Sequence, residues 1–318
     1  MKTITTLFFL QALVFTPYVS AHGYVSVLAV DGTPYKGQEP TEDGQPNVPS
    51  VVRRISTIDP VKGASNPFLN CGQNATAASL VAPTNPGSAL TFQWEAGGGE
   101  GWPHNIGPLM FYLANCGDTT CDQFDATTAK WFKISQVGLE SDEVTWYQQN
   151  LMDGHVANVT LPSNIAPGNY IIRHEIIALH LANEMGGAEF YPSCSQLNIS
   201  GSGTGAPTSD ELVSFPGAYK DDDPGIYVPA IFNGPISNYT YPGPAVASFA
   251  ASGTSSSGSS PAGGTSPSTS TSSSKPTGVS SSNSSKSGKC QLQKQNTVAL
   301  YPRHFSRAMR RLLFGSSF

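Results

Sequence analysis

The sequence predicts an all-β sandwich with long loops, and three observations carry that prediction. Apolar and polar residues alternate over short runs, Gly, Pro, Asn and Asp punctuate the intervals, and no long helical period stands out. Ala89-Leu90-Thr91-Phe92-Gln93-Trp94 alternates, as does Trp131-Phe132-Lys133-Ile134-Ser135. Residues 158–161, 170–180 and 196–200 also read as strands bounded by turns. Only 12% of the chain is charged, and 32 Gly and 25 Pro supply the turns such a fold needs. A body of about 210 residues is large but acceptable for one such domain.

The segments on either side of this body have other compositions. Lys2 is a small basic start, Leu7-Phe8-Phe9-Leu10 and Ala12-Leu13-Val14-Phe15 form an apolar run, and Val19-Ser20-Ala21 closes it with small residues. That pattern reads as a signal peptide over residues 1–21, too short to span a bilayer, and its removal makes His22 the first residue of a secreted protein. The folded domain is expected over residues 22–235. Residues 236–289 are expected to be a linker, because their Ser, Thr, Gly and Pro cannot bury enough apolar area to fold. Residues 290–318 form a basic tail ending in HFSRAMRRLLFG, where Phe305, Ala308, Met309, Leu312 and Leu313 mark a short amphipathic stripe. So short a helix is marginal on its own.

Charge and cysteine usage narrow the function. Of the 22 acids, all fall between residues 22 and 235, against eight Lys and Arg, a balance of −14 for that part. Such a body does not suit nucleic acid or an anionic membrane, which demand a basic face, and is compatible with an uncharged polysaccharide. Cys71, Cys116, Cys121 and Cys194 allow two disulfides in three pairings, with Cys290 left over. Asn74, Asn158, Asn198, Asn238 and Asn283 begin glycosylation sequons.

The chemistry centres on histidine. A mature N-terminal His22 offers its α-amine and its imidazole Nδ1 to one metal, and a second imidazole completes three nitrogens in a near-planar T. That arrangement suits Cu(II), whereas zinc prefers a tetrahedron and calcium prefers oxygen. His174 and His180, six residues apart on one predicted strand, would sit roughly 20 Å apart, so at most one is near the site. His104, in the loop GWPHNIGP, is the better second ligand. In GGAEFYPSC, Glu189 and Tyr191 share one strand face, while Phe190 and Cys194 take the other.

HGYVS at residue 22, WPHNIGPLMFYLANC, YIIRHEIIALH, GGAEFYPSC and FPGAYKDDDPGI, taken together, resemble the fungal lytic polysaccharide monooxygenases of auxiliary activity family 9, formerly classed as glycoside hydrolase family 61. The resemblance runs in order from residue 22 to about 232. It implies an immunoglobulin/fibronectin-like β-sandwich with a flat substrate face, and one copper ion held by the His22 amine and imidazole with His104. Tyr191 would stand at the axial position and His180 in the surrounding hydrogen-bonded shell, with His174 inside the core. It further implies oxidation of cellulose or a related β-glucan at C1 or C4, with an external electron donor and O2 or H2O2, by a protein that is expected to act as a monomer. Tyr24 and Tyr219 are the expected sugar-stacking rings, and Cys71–Cys194 and Cys116–Cys121 the expected disulfides. One departure stands out: the family usually carries glutamine where this chain has Glu189. The tail, with only Cys290 and few aromatics, has no recognisable cellulose-binding module.

Two other readings compete. A hydrolase needs two carboxylates across a glycosidic bond. Glu175 and Glu189 are available, but hydrolysis explains neither His22 nor His104. The alternative from another class is a copper- or carbohydrate-binding protein of the same fold without turnover.

Overall fold

The computed structural model describes residues 22–40, 48–234, 236 and 238–251. The signal peptide, most of the linker, the basic tail, Cys290 and Asn283 lie outside the described residues. Among the described residues nine strands build two sheets. β1 (Gly23–Val30), β2 (Thr33–Lys36), β4 (Ala89–Ala96) and β7 (Ala157–Thr160) form a four-stranded antiparallel sheet in the order β2-β1-β4-β7. β3 (Ala82–Thr84), β5 (Leu109–Asn115), β6 (Trp131–Val137), β8 (Gly168–Ala178) and β9 (Glu189–Ile199) form a five-stranded sheet in the order β3-β9-β8-β5-β6. Two short helices complete the fold, α1 (Gln148–Met152) and α2 (Ser248–Ala251).

The alternation of β4 sends Leu90, Phe92 and Trp94 inward, where they meet Val25 and Leu28 of β1 and Phe111, Leu113, Ile172 and Ile176 from the facing sheet. Burying each such side chain contributes about 1.5–3 kcal/mol. The five-stranded sheet is covered on its other face too. Met110, Tyr112, Ile171, Ile177 and Phe190 pack there under loops that carry Leu69, Phe215, Tyr219 and Ile226. Strands β5 and β8 are therefore buried on both faces; β5 reads as a continuous apolar run, whereas β8 carries Arg173, His174 and Glu175 buried at its centre. Cys71–Cys194 ties one covering loop to β9, and Cys116–Cys121 closes a small ring after β5.

Two sequence expectations change here. Residues 236 and 238–251, assigned to the linker, pack on the sandwich: Ile236, Tyr239 and Tyr241 lie against its apolar surface, Ala247 and Ala250 are buried, and the Phe249 ring stands 5.7 Å from Phe132. Their aromatics supply the apolar area that the Ser-rich stretch after them lacks. The predicted strand through residue 180 ends at Ala178, so His180 sits in the turn beyond it.

Candidate metal centre

The site forms where one end of the sandwich brings together β1, the loop between β4 and β5, the turn after β8 and the start of β9. Strand β1 pairs from its first residue, Gly23 opposite Ala96. A Cβ on Gly23 would meet the Glu95 carbonyl at 2.6 Å and the Trp102 ring at 3.0 Å, so only glycine lets the chain lie this close. The residue before Gly23, His22, has its Nδ1 3.1 Å from Asp59 Oδ1.

Trp102 is the floor. It is buried and meets Trp94, Tyr191 and His104 edge to face, at centroid separations of 5.2, 4.9 and 5.3 Å. Gly107, at φ 127°, brings the same loop against the Ile177 carbonyl, where any Cβ would collide. The Leu179 N–H donates to the Ile106 carbonyl at 2.9 Å. These backbone contacts place His180 flat against His104, with ring centroids 4.2 Å apart and planes 13° apart.

From β9, Glu189 and Tyr191 project to the same side. The Tyr191 hydroxyl donates to Glu189 Oε2 at 2.8 Å and lies 3.2 Å from His104 Nε2. Glu189 Oε2 is 3.6 Å from Nε2 of both His104 and His180, and its Oε1 is 2.9 Å from Lys62 Nζ. His104, His180 and Glu189 thus each offer a ligand atom within 4.8 Å of the others. His180 Nδ1 is buried and has no hydrogen-bond partner among the described residues.

Electrostatics keep these groups in the states a cation needs. Burial, outweighing the attraction of Glu189, pushes the His180 imidazole below its ordinary pKa and so toward the neutral form. Burial pushes the Glu189 carboxyl up, but hydrogen bonds from Lys62 and Tyr191 outweigh it and hold the group below the usual carboxylate range. Burial and then the Glu189 charge raise the Tyr191 phenol, which stays protonated. Imidazoles with a phenol and one carboxylate are a nitrogen-and-oxygen donor set suited to a borderline divalent ion such as copper. In the 318-residue chain the His22 nitrogen is an amide to Ala21, so an amine ligand requires cleavage there.

Other expected site residues fall elsewhere. His174 is a core residue: its ring stacks on Phe111 at 4.4 Å, and burial lowers its pKa to about 3. Tyr219, expected as a sugar-stacking ring, is buried on the opposite face of the five-stranded sheet. Its hydroxyl donates to Glu175 Oε2 at 2.8 Å, and its ring stacks on Phe190, which points away from Tyr191 by strand alternation. Tyr24, the other expected ring, is buried too. It lines a narrow space with Ile55, Asp59, Gly72 and Trp94, and burial followed by Glu39 and Glu95 raises its pKa to about 12. Among the described residues the exposed ring is Phe232, 61% accessible, in a groove shared with Asn105 and Gln149. Lys62 and Asp59 escaped sequence reasoning because they lie far along the chain from Glu189 and His22, while Trp102 stands in the same motif as His104 but was given no role there. Asn74, Asn158, Asn198 and Asn238 are all exposed.

Among the described residues no helix is long and apolar enough to cross a membrane. The sequence model of Auxiliary Activity family 9 (formerly GH61) matches residues 22–241. The chain is 51% identical to AA9 family lytic polysaccharide monooxygenase D of Gloeophyllum trabeum, over 98% of this chain and 97% of that one. It is 42% identical to AA9 family lytic polysaccharide monooxygenase D of Geotrichum candidum, over 77% of this chain and 74% of that one. Among solved structures, the extended catalytic domain of H. jecorina LPMO9A superposes with a TM-score of 0.64 at 36% identity, covering 71% of this chain and 91% of that one. A family match across the whole sandwich, on a chain whose histidines, tyrosine and carboxylate converge at one end, means that this protein belongs to auxiliary activity family 9, the lytic polysaccharide monooxygenases.

Proposed function

We propose that the protein is secreted, that removal of residues 1–21 frees the His22 amine, and that this amine, the His22 imidazole and His104 would hold one copper ion, with the Tyr191 hydroxyl beside it. The carrying observation is the convergence of His104, His180, Glu189 and Tyr191 around a single space, with Gly23, the residue after His22, packed on the Trp102 ring that also touches His104 and Tyr191. We further propose that the substrate is cellulose or a related β-1,4-glucan, attacked at C1 and/or C4. When bound, copper supplies the one-electron chemistry that couples an external donor and O2 or H2O2 to oxidation of a glycosidic C–H bond.

The chain's own residues supply placement and protons. Trp102 fixes the planes of His104 and Tyr191 from beneath. His180 Nε2 and Glu189 Oε2 face the same space and are placed to hold a proton near the oxygen co-substrate. The acidic body leaves recognition to neutral surfaces, and Phe232 beside Asn105 is the ring available to lie on a sugar face.

Two measurements test this reading. Processed protein with copper is expected to give a three-nitrogen Cu(II) electron paramagnetic resonance signal, and one extra residue before His22 is expected to abolish it; an unchanged spectrum would refute the amine ligand. Mass spectrometry of glucans incubated with enzyme and reductant is expected to show C1- or C4-oxidised ends. Native ends formed without reductant would point to a hydrolase, and no soluble product on any glucan would point to a binding protein. Phe232→Ala is expected to weaken glucan binding several-fold and leave the copper signal unchanged.

A further inference from the structure

The first partner of the Glu189 carboxylate is a lysine from a different part of the chain, and the backbone explains how it arrives. Segment 51–61 follows the outer edge of β9, bridging at Val52 to Ser195 and again at Val61 to Phe190. The second bridge exchanges both hydrogen bonds, Val61 N–H to the Phe190 carbonyl at 2.8 Å and Phe190 N–H to the Val61 carbonyl at 3.0 Å. In an antiparallel bridge the next residue of one strand lies opposite the previous residue of the other, which sets Lys62 against Glu189. The Cys71–Cys194 disulfide holds the same loop to the same strand.

Lys62 Nζ sits 2.9 Å from Glu189 Oε1 and donates to the Gly187 carbonyl at 3.1 Å. With Oε1 occupied, Oε2 is the oxygen left to accept from Tyr191 and to face both imidazoles. An exposed lysine–carboxylate pair is worth little. This one differs because the Glu189 side chain is only 8% accessible and stands next to a cation site. Without Lys62, a full negative charge would face that site through a weakly screening medium.

We propose that Lys62 is a positioning residue of the metal centre: by pairing with Glu189 it cancels the carboxylate charge beside the ion and turns Oε2 toward Tyr191, so that the Lys62–Glu189 pair sets the reduction potential of the bound copper. This rests on the copper assignment above. An anion near the metal favours Cu(II) over Cu(I), and a cation does the reverse. The pair, nearly neutral as a unit, does neither.

The test is a double-mutant cycle on processed, copper-loaded protein, read by redox titration and by the Cu(II) spectrum. Lys62→Met is expected to favour Cu(II) by about tenfold, a fall in potential of about 59 mV for a one-electron couple. Glu189→Gln is expected to favour Cu(I) by a comparable factor. The double variant is expected to return to within about twofold of the parent, and Lys62→Arg to preserve the parent potential. Circular dichroism checks that each variant is folded; Lys62 is 44% accessible, and the arginine variant keeps the charge if methionine disturbs the loop. A parent with the three-nitrogen signal and an unmoved potential in folded Lys62→Met would overturn the charge-cancelling role alone. A double variant displaced as far as either single one would overturn it as well. A processed parent lacking the three-nitrogen signal would instead overturn the copper assignment, and this proposal with it.

Discussion

Two carboxylates on neighbouring strands meet the same kind of partners and come to opposite uses. Glu175 on β8 receives the Tyr219 hydroxyl at 2.8 Å and both ends of the Arg173 guanidinium, at 2.6 and 2.9 Å. Glu189 on β9 receives the Tyr191 hydroxyl at 2.8 Å and the Lys62 ammonium at 2.9 Å. The first cluster lies among the apolar residues under the covering loops. Arg173 and Glu175 are completely inaccessible, Phe215 stacks 3.8 Å from the guanidinium carbon, and Arg173 also donates to the Leu69 and Asn70 carbonyls. Every oxygen is used and nothing can enter. The second cluster lies on the other face, at the end of the sheet, and its carboxylate oxygen looks onto two imidazoles rather than a guanidinium. Near-identical tyrosine–carboxylate pairs thus become a fastener in one place and a site in the other. The difference is what closes the remaining side: a rigid five-donor cation, or histidines able to take a metal.

Breaking the closed cluster should cost most. Arg173→Met leaves Glu175 buried without its cation and is expected to lower unfolding free energy by about 3–5 kcal/mol, read from urea midpoints. The matching cut in the open cluster, Tyr191→Phe, removes a hydrogen bond to a charged group that Lys62 still neutralises. We expect about 2 kcal/mol in the same assay, together with an altered Cu(II) spectrum. A third test addresses the flank of the closed cluster, through pH rather than through a lost contact. Lys133 is buried, donates to Gln136 and to the Pro242 carbonyl, and burial lowers its pKa from 10.5 to about 7. Between those values the unfolded chain holds a proton that the folded chain has released, so this group makes stability rise with pH from about 7 to 10.5. Lys133→Met should flatten that rise, seen as a shallower slope of denaturation midpoint against pH.

How much of this could be read in the sequence follows from what each residue's neighbours are. Strands β4, β6, β7 and β8 are legible because their alternation, or their length between turns, is a local property. β5 and β1 were not singled out: LMFYLAN is buried on both faces and has no alternation to detect, and β1 carries a bulge between Val25 and Val27 that breaks the period. His22, His104, His180, Glu189 and Tyr191 stand in recognisable motifs, and the strand period alone puts Glu189 and Tyr191 on one side. Lys62 was invisible because its meeting with Glu189 depends on a backbone bridge between segments more than a hundred residues apart. Tyr219 was misread for the same reason. Nothing beside it in sequence announces Glu175, the group that draws its hydroxyl inward.

The contact of Gly23 with Trp102 has a thermodynamic consequence. Chain ends normally fray, and a ligand at a frayed end must be immobilised when the metal arrives. Here strand pairing begins one residue after His22, so with the cleavage after Ala21 proposed above, the freedom of the new terminus would be lost when the sandwich forms rather than when an ion binds. Under that proposal the folding reaction carries part of the entropic cost of chelation, and His22 would meet the metal as rigid scaffold.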